Sequence, residues 1–131
     1  MDYSKLIEKA IEARNNSYSP YSHFKVGACL ITKSGKMFTG CNIENAAYGP
    51  SICAERTAIF KAVSEGERDI EAIAIIGSEA NDYASPCGVC RQVMAEFNPE
   101  MTVILIKNKD DYKVMKLYEL LPLFFGPKNL N

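Results

Sequence analysis

Two signals are missing from the sequence. Its amino terminus, Met1-Asp2-Tyr3-Ser4-Lys5, lacks the basic and then apolar pattern of a signal peptide, and no apolar run approaches the ~18 residues of a spanning helix. The expected setting is soluble and cytoplasmic. Excess charge is missing too, with 15 Lys and Arg against 16 Asp and Glu, interleaved, for a formal net charge of -1. Neither nucleic acid nor an anionic membrane is expected as a partner on electrostatic grounds. Low-complexity runs and internal repeats are absent. With 47% hydrophobic and 24% charged residues, the chain is expected to form one globular domain over residues 1–131. A chain of this length buries about two thirds of its unfolded surface, so its core needs no covalent staples. An even set of cysteines is lacking: there are five, and in a reducing compartment an odd count points to metal binding or catalysis rather than disulfides. Histidine is nearly absent. His23 has no partner in register nearby and is read as surface or loop packing rather than as a ligand.

What is present reads as alternating helices and strands. Apolar residues at Tyr3, Leu6, Ile7, Ala10 and Ile11 predict an amphipathic helix that ends near Asn15-Asn16 and covers one face of a sheet. Residues 17–22, with Pro20 between two tyrosines, read as an ordered loop. Strands are predicted over 25–32 and 36–43, joined as a hairpin at Ser34-Gly35. Cys29 and Cys41 fall inside them and are read as small buried apolar residues. Asn42 and Glu44 share one strand face by the two-residue period and can reach one ligand together, with turn chemistry as the other reading of the asparagines here. A buried helix is predicted over 52–64, with Ser51 as cap and Gly66 as stop. The apolar, non-alternating strand 72–76 belongs in the middle of a sheet covered on both faces. A further helix opens with Ser85 as cap and Pro86 at its first position, and stops at Asn98-Pro99. Residues 101–106 form the next buried strand. The turn 108–111 is short enough to demand antiparallel pairing with an edge strand at 113–116. A short helix over 117–123 precedes Phe124-Phe125, two adjacent aromatics that suggest burial on another subunit or over a pocket, with self-packing of the tail as the alternative.

Chemistry concentrates in two of these segments. Cys87 and Cys90, three apart on one predicted helix, lie one above the other and can reach one ion. Zinc prefers a tetrahedron, so a third ligand must come from elsewhere, and Cys53 supplies it. One zinc ion held by Cys53, Cys87 and Cys90, with water at the fourth position, is the expectation. Cys53 and Cys87 are each expected in the first turn of their helices, where about half a positive charge favours thiolate. Three thiolates on zinc sum to -1, which makes a poor Lewis acid. Arg56 is placed to donate to a ligand sulfur and return one positive charge. Glu55, in a helix expected to be buried, is the candidate proton shuttle, its pKa raised by desolvation and lowered by the metal. A closed four-cysteine site completed by Cys41 or Cys29 is the plain rival, and it leaves Glu55 without a task.

Cys53-Ala54-Glu55 followed by Pro86-Cys87-Gly88-Val89-Cys90 resembles the zinc nucleobase and nucleoside deaminase signature in its three-cysteine form. The likeness runs through Tyr18-Ser19-Pro20-Tyr21-Ser22 with Phe24, Val26 and Gly27, residues 40–48, Arg56, Arg91-Gln92 and Leu120-Leu121-Pro122. On these residues the chain resembles the small homotetrameric cytidine deaminases over nearly its whole length. The resemblance implies an α/β fold, a three-layer α/β/α sandwich with a five-stranded mixed sheet. It implies hydrolysis of cytidine or 2′-deoxycytidine to uridine or 2′-deoxyuridine plus ammonia, a step of pyrimidine salvage, by attack of zinc-activated water on C4. Glu55 would take the water's proton, pass it to N3 and help protonate the departing amine. By the same resemblance Asn42 and Glu44 bind the ribose hydroxyls and Phe24 packs on the nucleoside. The Ala54 backbone amide contacts O2 of the base, and the Ser85 carbonyl accepts from the leaving amine. Ala46 and Tyr48 are expected to reach a neighbouring subunit's 5′-hydroxyl region, and Phe125, or Phe124 beside it, to close a neighbour's pocket. The implied assembly is a homotetramer with shared active sites and one zinc per subunit.

Two rivals remain at this level. A blasticidin S-type aminohydrolase shares the metal motifs, but Asn42-Ile43-Glu44-Asn45 offers groups suited to ribose. A noncatalytic zinc module that binds nucleic acid or protein is disfavoured by the near-neutral charge and by Glu55.

Overall fold

The apolar stripe near the amino terminus forms α1 (Ser4–Arg14), which buries Leu6, Ile7, Ala10 and Ala13 along one side. This computed structural model describes residues 2–78 and 81–130. The predicted hairpin follows as β1 (Gly27–Thr32) and β2 (Met37–Cys41), antiparallel, with Gly35 at φ 93 in the left-handed region that glycine adopts freely. Both strands are shorter than their alternation suggested. Residues just outside them pair with side chains instead: the Ser78 hydroxyl bonds both the amide and the carbonyl of Lys25, and Val26 N donates to Asn42 Oδ1 at 2.9 Å.

Helix α2 (Ala54–Ser64) starts two residues later than expected. Ile52 is held in an isolated antiparallel bridge with Ile43, and the Ser51 hydroxyl accepts from Asn45 N at 2.9 Å, so Cys53 caps the helix in place of Ser51. After β3 (Ile70–Ile76), α3 (Gly88–Phe97) likewise starts later than predicted. Its cap is Cys87, because the Ser85 hydroxyl is occupied by Arg91 Nη2 at 2.8 Å. Strands β4 (Thr102–Asn108) and β5 (Asp111–Lys116) follow as an antiparallel pair. Helix α4 (Leu117–Leu120) is a single turn, shorter than predicted. Leu121 precedes Pro122, which pushes it out of helical geometry to φ -144, ψ 68.

The five strands lie in the order β2-β1-β3-β4-β5, with only the β3–β4 pair parallel. Helix α3 carries the crossover between those two. Alternate residues of the central strands supply two cores. Cys29, Ala72, Ala74, Ile76, Ile104 and Ile106 gather on the α1 side, while Leu30, Ile73, Ile75, Val103 and Leu105 gather on the side of α2 and α3. The result is the three-layer α/β/α sandwich with a five-stranded mixed sheet. β3 is buried on both faces, as its unbroken apolar run requires. Each isoleucine buried there contributes roughly 1.5–3 kcal/mol, so the middle of the sheet is a firm base for the loops at its ends.

Two glycines set how closely the helices approach. A Cβ at Gly27 would stand 2.1 Å from the Ala10 carbonyl oxygen, and one at Gly40 would stand 2.4 Å from that of Ala54. The second contact brings the start of α2 down onto the last residues of β2, so that Cys53 and Asn42 line one cavity. Among the described residues no helix is long and apolar enough to cross a membrane.

Candidate active site

Cys53 and Cys87 occupy the same position, the cap residue before the first turn of α2 and of α3. They are therefore not inside their helices, as the spacing had suggested, but at the ends from which the amides project. Cys87 Sγ accepts from Cys90 N at 3.5 Å, which turns the Cys90 side chain toward it at an Sγ–Sγ distance of 3.4 Å. Cys53 Sγ lies 3.8 Å from Cys87 Sγ, and all three sulfurs fall within 4.8 Å of one another. A tetrahedral zinc with Zn–S bonds of about 2.3 Å requires sulfurs about 3.8 Å apart. The three thiols fit that ion in donor type and in spacing. Neither Cys29 nor Cys41 joins them: Cys29 is buried on the α1 side of the sheet and Cys41 is half-buried in β2.

Two helix ends and one guanidinium hold negative charge at this cluster. Arg56, three residues after Cys53, reaches back to place Nη2 3.4 Å from Cys53 Sγ. The Cys53 thiol is pulled well below its ordinary pKa, first by the Cys90 thiol near it and then by Arg56, against burial. The nearness of Cys53, with burial, raises Cys90 in turn. Glu55 is only 4% exposed, and burial pushes its carboxyl up to about 7, with the Cys53 charge adding in the same direction. A bound cation acts in the opposite sense.

The cluster opens into a cavity of about 660 Å³, within the roughly 300–1,000 Å³ range of small-molecule sites. Cys53, Cys87, Glu55 and Arg56 line it. So do Phe24, Asn42, Glu44 and Ser85. Asn42 and Glu44 lie just past the end of β2, not within it, yet keep the alternation that turns both to one side. The Ser22 hydroxyl and the amides of Ser22 and Tyr21 donate to the Glu44 carboxylate, and the Ser22 contact is the first cause of a pKa below the usual carboxylate range. A second cavity of about 410 Å³ adjoins the first, sharing Ser22, Glu44 and Ser51 and adding Tyr21 and Tyr48. Their rings meet edge to face, 6.3 Å between centroids.

Residues 1–106 match the sequence model of a family described as "Cytidine and deoxycytidylate deaminase zinc-binding region". The chain belongs to that family. A cytidine deaminase of Halalkalibacterium halodurans is 48% identical over 132 residues, covering 100% of this chain and 99% of the relative. One from Sporosarcina psychrophila is 47% identical over 132 residues, covering 100% and 96%. Among solved structures, the cytidine deaminase of Burkholderia pseudomallei superposes with a TM-score of 0.90 at 48% identity, covering 95% of this chain and 100% of that one. The protein is accordingly a zinc-dependent deaminase, with Cys53, Cys87 and Cys90 as the group suited to the ion.

The remaining residues singled out for the deaminase in the sequence are dispersed. Ala54 is fully buried behind the cavity wall, so only its backbone can serve the site. Tyr48 lines the second cavity only, while Ala46 and Phe125 are exposed and line neither. Phe124 packs against the core and Phe125 is 60% exposed, which separates the two adjacent aromatics. His23 is exposed, with a left-handed backbone at φ 58. The sequence reading passed over Ser22, Asp82 and Tyr83 as lining residues and Arg91 as a clamp. Arg91 Nε donates to Pro86 O at 2.8 Å, Nη1 to Leu120 O at 2.6 Å and Nη2 to Ser85 Oγ, tying the segment before Cys87 to the end of α4. Ser22 and Arg91 sat inside motifs already noticed. Asp82 and Tyr83 lie in a loop with no periodic signal.

Proposed function

We propose that this deaminase hydrolyses cytidine and 2′-deoxycytidine to uridine and 2′-deoxyuridine with release of ammonia. The observation that carries this reading is a single cavity lined both by metal-holding cysteines with Glu55 and by Asn42 and Glu44, groups suited to sugar hydroxyls. Cys53, Cys87 and Cys90 would hold the zinc, which would supply Lewis-acid chemistry that lowers the pKa of water toward neutrality. Glu55 takes one proton of a water in the cavity and delivers it to N3 of the pyrimidine as the water oxygen bonds to C4, then moves the remaining hydroxyl proton to N4 as the C4–N4 bond breaks, the C4 carbonyl forms and ammonia leaves. Arg56 holds Cys53 Sγ and offsets thiolate charge. Phe24 packs on the nucleoside, the Ala54 amide meets O2 of the base, and the Ser85 carbonyl accepts from the amine. The Arg91 clamp on Ser85 and Pro86 keeps that carbonyl in place.

The whole chain acts as one domain, in the cytoplasm, as a homotetramer in which Ala46, Tyr48 and Phe125 serve neighbouring sites. In support, all three side chains are exposed and stand outside the main cavity. Five free cysteines suit a reducing compartment.

The test is loss of the cytosine ultraviolet band on adding cytidine, with and without a chelator. Turnover that disappears with chelation and returns with zinc is expected. Turnover of blasticidin S with none of cytidine would replace this reading by the sister activity, and chelator-insensitive turnover would remove the metal from it.

A further inference from the structure

Ser22 lines both cavities and bridges two groups that face the nucleoside. Its hydroxyl donates to Glu44 Oε2 and accepts from Phe24 N at 3.0 Å, while its own amide donates to Glu44 Oε1 at 3.1 Å. Tyr21 N adds a bond to Oε1 at 3.0 Å. A carboxylate offers about four lone-pair positions. The loop fills three of those of Glu44 and leaves one.

Asn42 is committed to the same degree. Its Oδ1 accepts from Ser17 Oγ at 2.5 Å and from Val26 N at 2.9 Å, and Nδ2 donates to Phe24 O at 2.8 Å. A side-chain amide has two lone pairs and two donor hydrogens, so one N–H of Asn42 is left. One free acceptor on Glu44 and one free donor on Asn42 match a single hydroxyl, which donates once and accepts.

We infer that Ser22 is a positioning residue for sugar recognition, its hydroxyl holding the Glu44 carboxylate so that the one remaining acceptor works together with Asn42 on one sugar hydroxyl. The inference rests on the reading of Asn42 and Glu44 as sugar-binding groups. A left-handed, non-glycine His23 at φ 58 sits directly between Ser22 and Phe24. Such a backbone is strained for a residue with a Cβ and persists where surrounding contacts over-determine it. Here those contacts are the Ser22 hydroxyl bonds on one side and the bond from His23 N to Ser19 O, at 3.0 Å, on the other.

The experiment compares kcat and KM of the zinc-loaded wild type, Ser22→Ala and Ser22→Thr on cytidine and on 2′,3′-dideoxycytidine, which lacks the sugar hydroxyls concerned. The wild type is expected to prefer cytidine. Ser22→Ala should lose roughly ten- to a hundred-fold in kcat/KM on cytidine, the order of one charge-assisted hydrogen bond, chiefly through KM, and lose little on the dideoxy substrate. Ser22→Thr, which keeps the hydroxyl, should restore most of the preference. Equal losses on both substrates in Ser22→Ala would mean that Ser22 only holds the loop, and would overturn the inference while leaving the sugar reading intact. A wild type indifferent to the hydroxyls would instead overturn the sugar reading and the inference with it. If Ser22→Ala fails to fold, Ser22→Cys, a weaker donor of similar size, is expected to show the same selective loss, and uniform loss there counts equally against the proposal.

Discussion

At the scale of single residues the site repeats one device. A cap cysteine is followed three positions later by a side chain that turns back toward its sulfur. In α2 that side chain is Arg56, and in α3 it is Cys90. The same spacing thus delivers a counter-charge at one helix end and another ligand at the other. That these groups would come together was legible from residue type and spacing, because a thiol, a carboxylate and a guanidinium are rarely set so close in one short segment. Their place in the helix was not. Sequence favoured Ser51 and Ser85 as caps, and both hydroxyls are spent elsewhere. Glu55→Gln is expected to retain zinc by metal analysis and to lose roughly a hundred- to ten-thousand-fold in kcat, the usual worth of a positioned general acid–base. An undiminished rate would remove the proton-carrying role. Arg56→Ala is expected to keep zinc and to lose roughly ten- to a hundred-fold in turnover, the usual scale for a group that tunes a metal ligand. Normal kinetics there would show that the charge offset is not needed.

At the scale of elements, the approach of α2 to β2 decides where the two halves of the cavity meet. Gly40 permits it: a methyl group there collides with the Ala54 carbonyl oxygen at 2.4 Å and the Ala58 amide nitrogen at 2.6 Å, both backbone atoms that cannot rotate aside. Gly40→Ala is therefore expected to lower stability by about 1–3 kcal/mol, as overpacking does, seen as a lower Tm. Moving the start of α2 also moves Cys53 and Glu55 relative to Asn42. Activity per folded molecule should drop as well, and a variant with unchanged Tm and rate would show that the contact yields. Helix α1, the hairpin and the buried strands were legible because their apolar period is local. The short α4 was legible less well, since a four-residue turn ended by Pro122 carries little periodicity.

At the scale of the molecule, large apolar side chains remain in solvent in the isolated chain. Tyr48 is 73% exposed and Leu123 103%, with Phe125 close behind. On edge strand β5, Tyr112 and Val114 are exposed too, on the α1 side of the sheet where α1 packs against β1, β2 and β3. Apolar surface of this kind marks protein contacts, and the proposed homotetramer would cover it. Light scattering is expected to give four copies per particle. Phe125→Ala should keep zinc and raise KM for cytidine roughly two- to ten-fold, the worth of one aromatic contact. A monomer with full activity would place every needed residue within one chain.

Local chemistry was decided by the sequence alone: which sulfurs suit zinc, which carboxylate is buried beside them, and where the buried strands run. These follow from the valence of each side chain and from periods of two and 3.6 residues, which need no distant partner. Tertiary structure alone decided that Cys53 and Cys87 are caps, that Ser22 and Tyr21 saturate most of Glu44, and that Arg91 joins the Ser85 segment to the end of α4. Each of those depends on a hydrogen bond between groups far apart in the chain or on a competing use of a cap residue. Whether such a bond forms is set by how the helices pack on the sheet, not by the residues on either side of it.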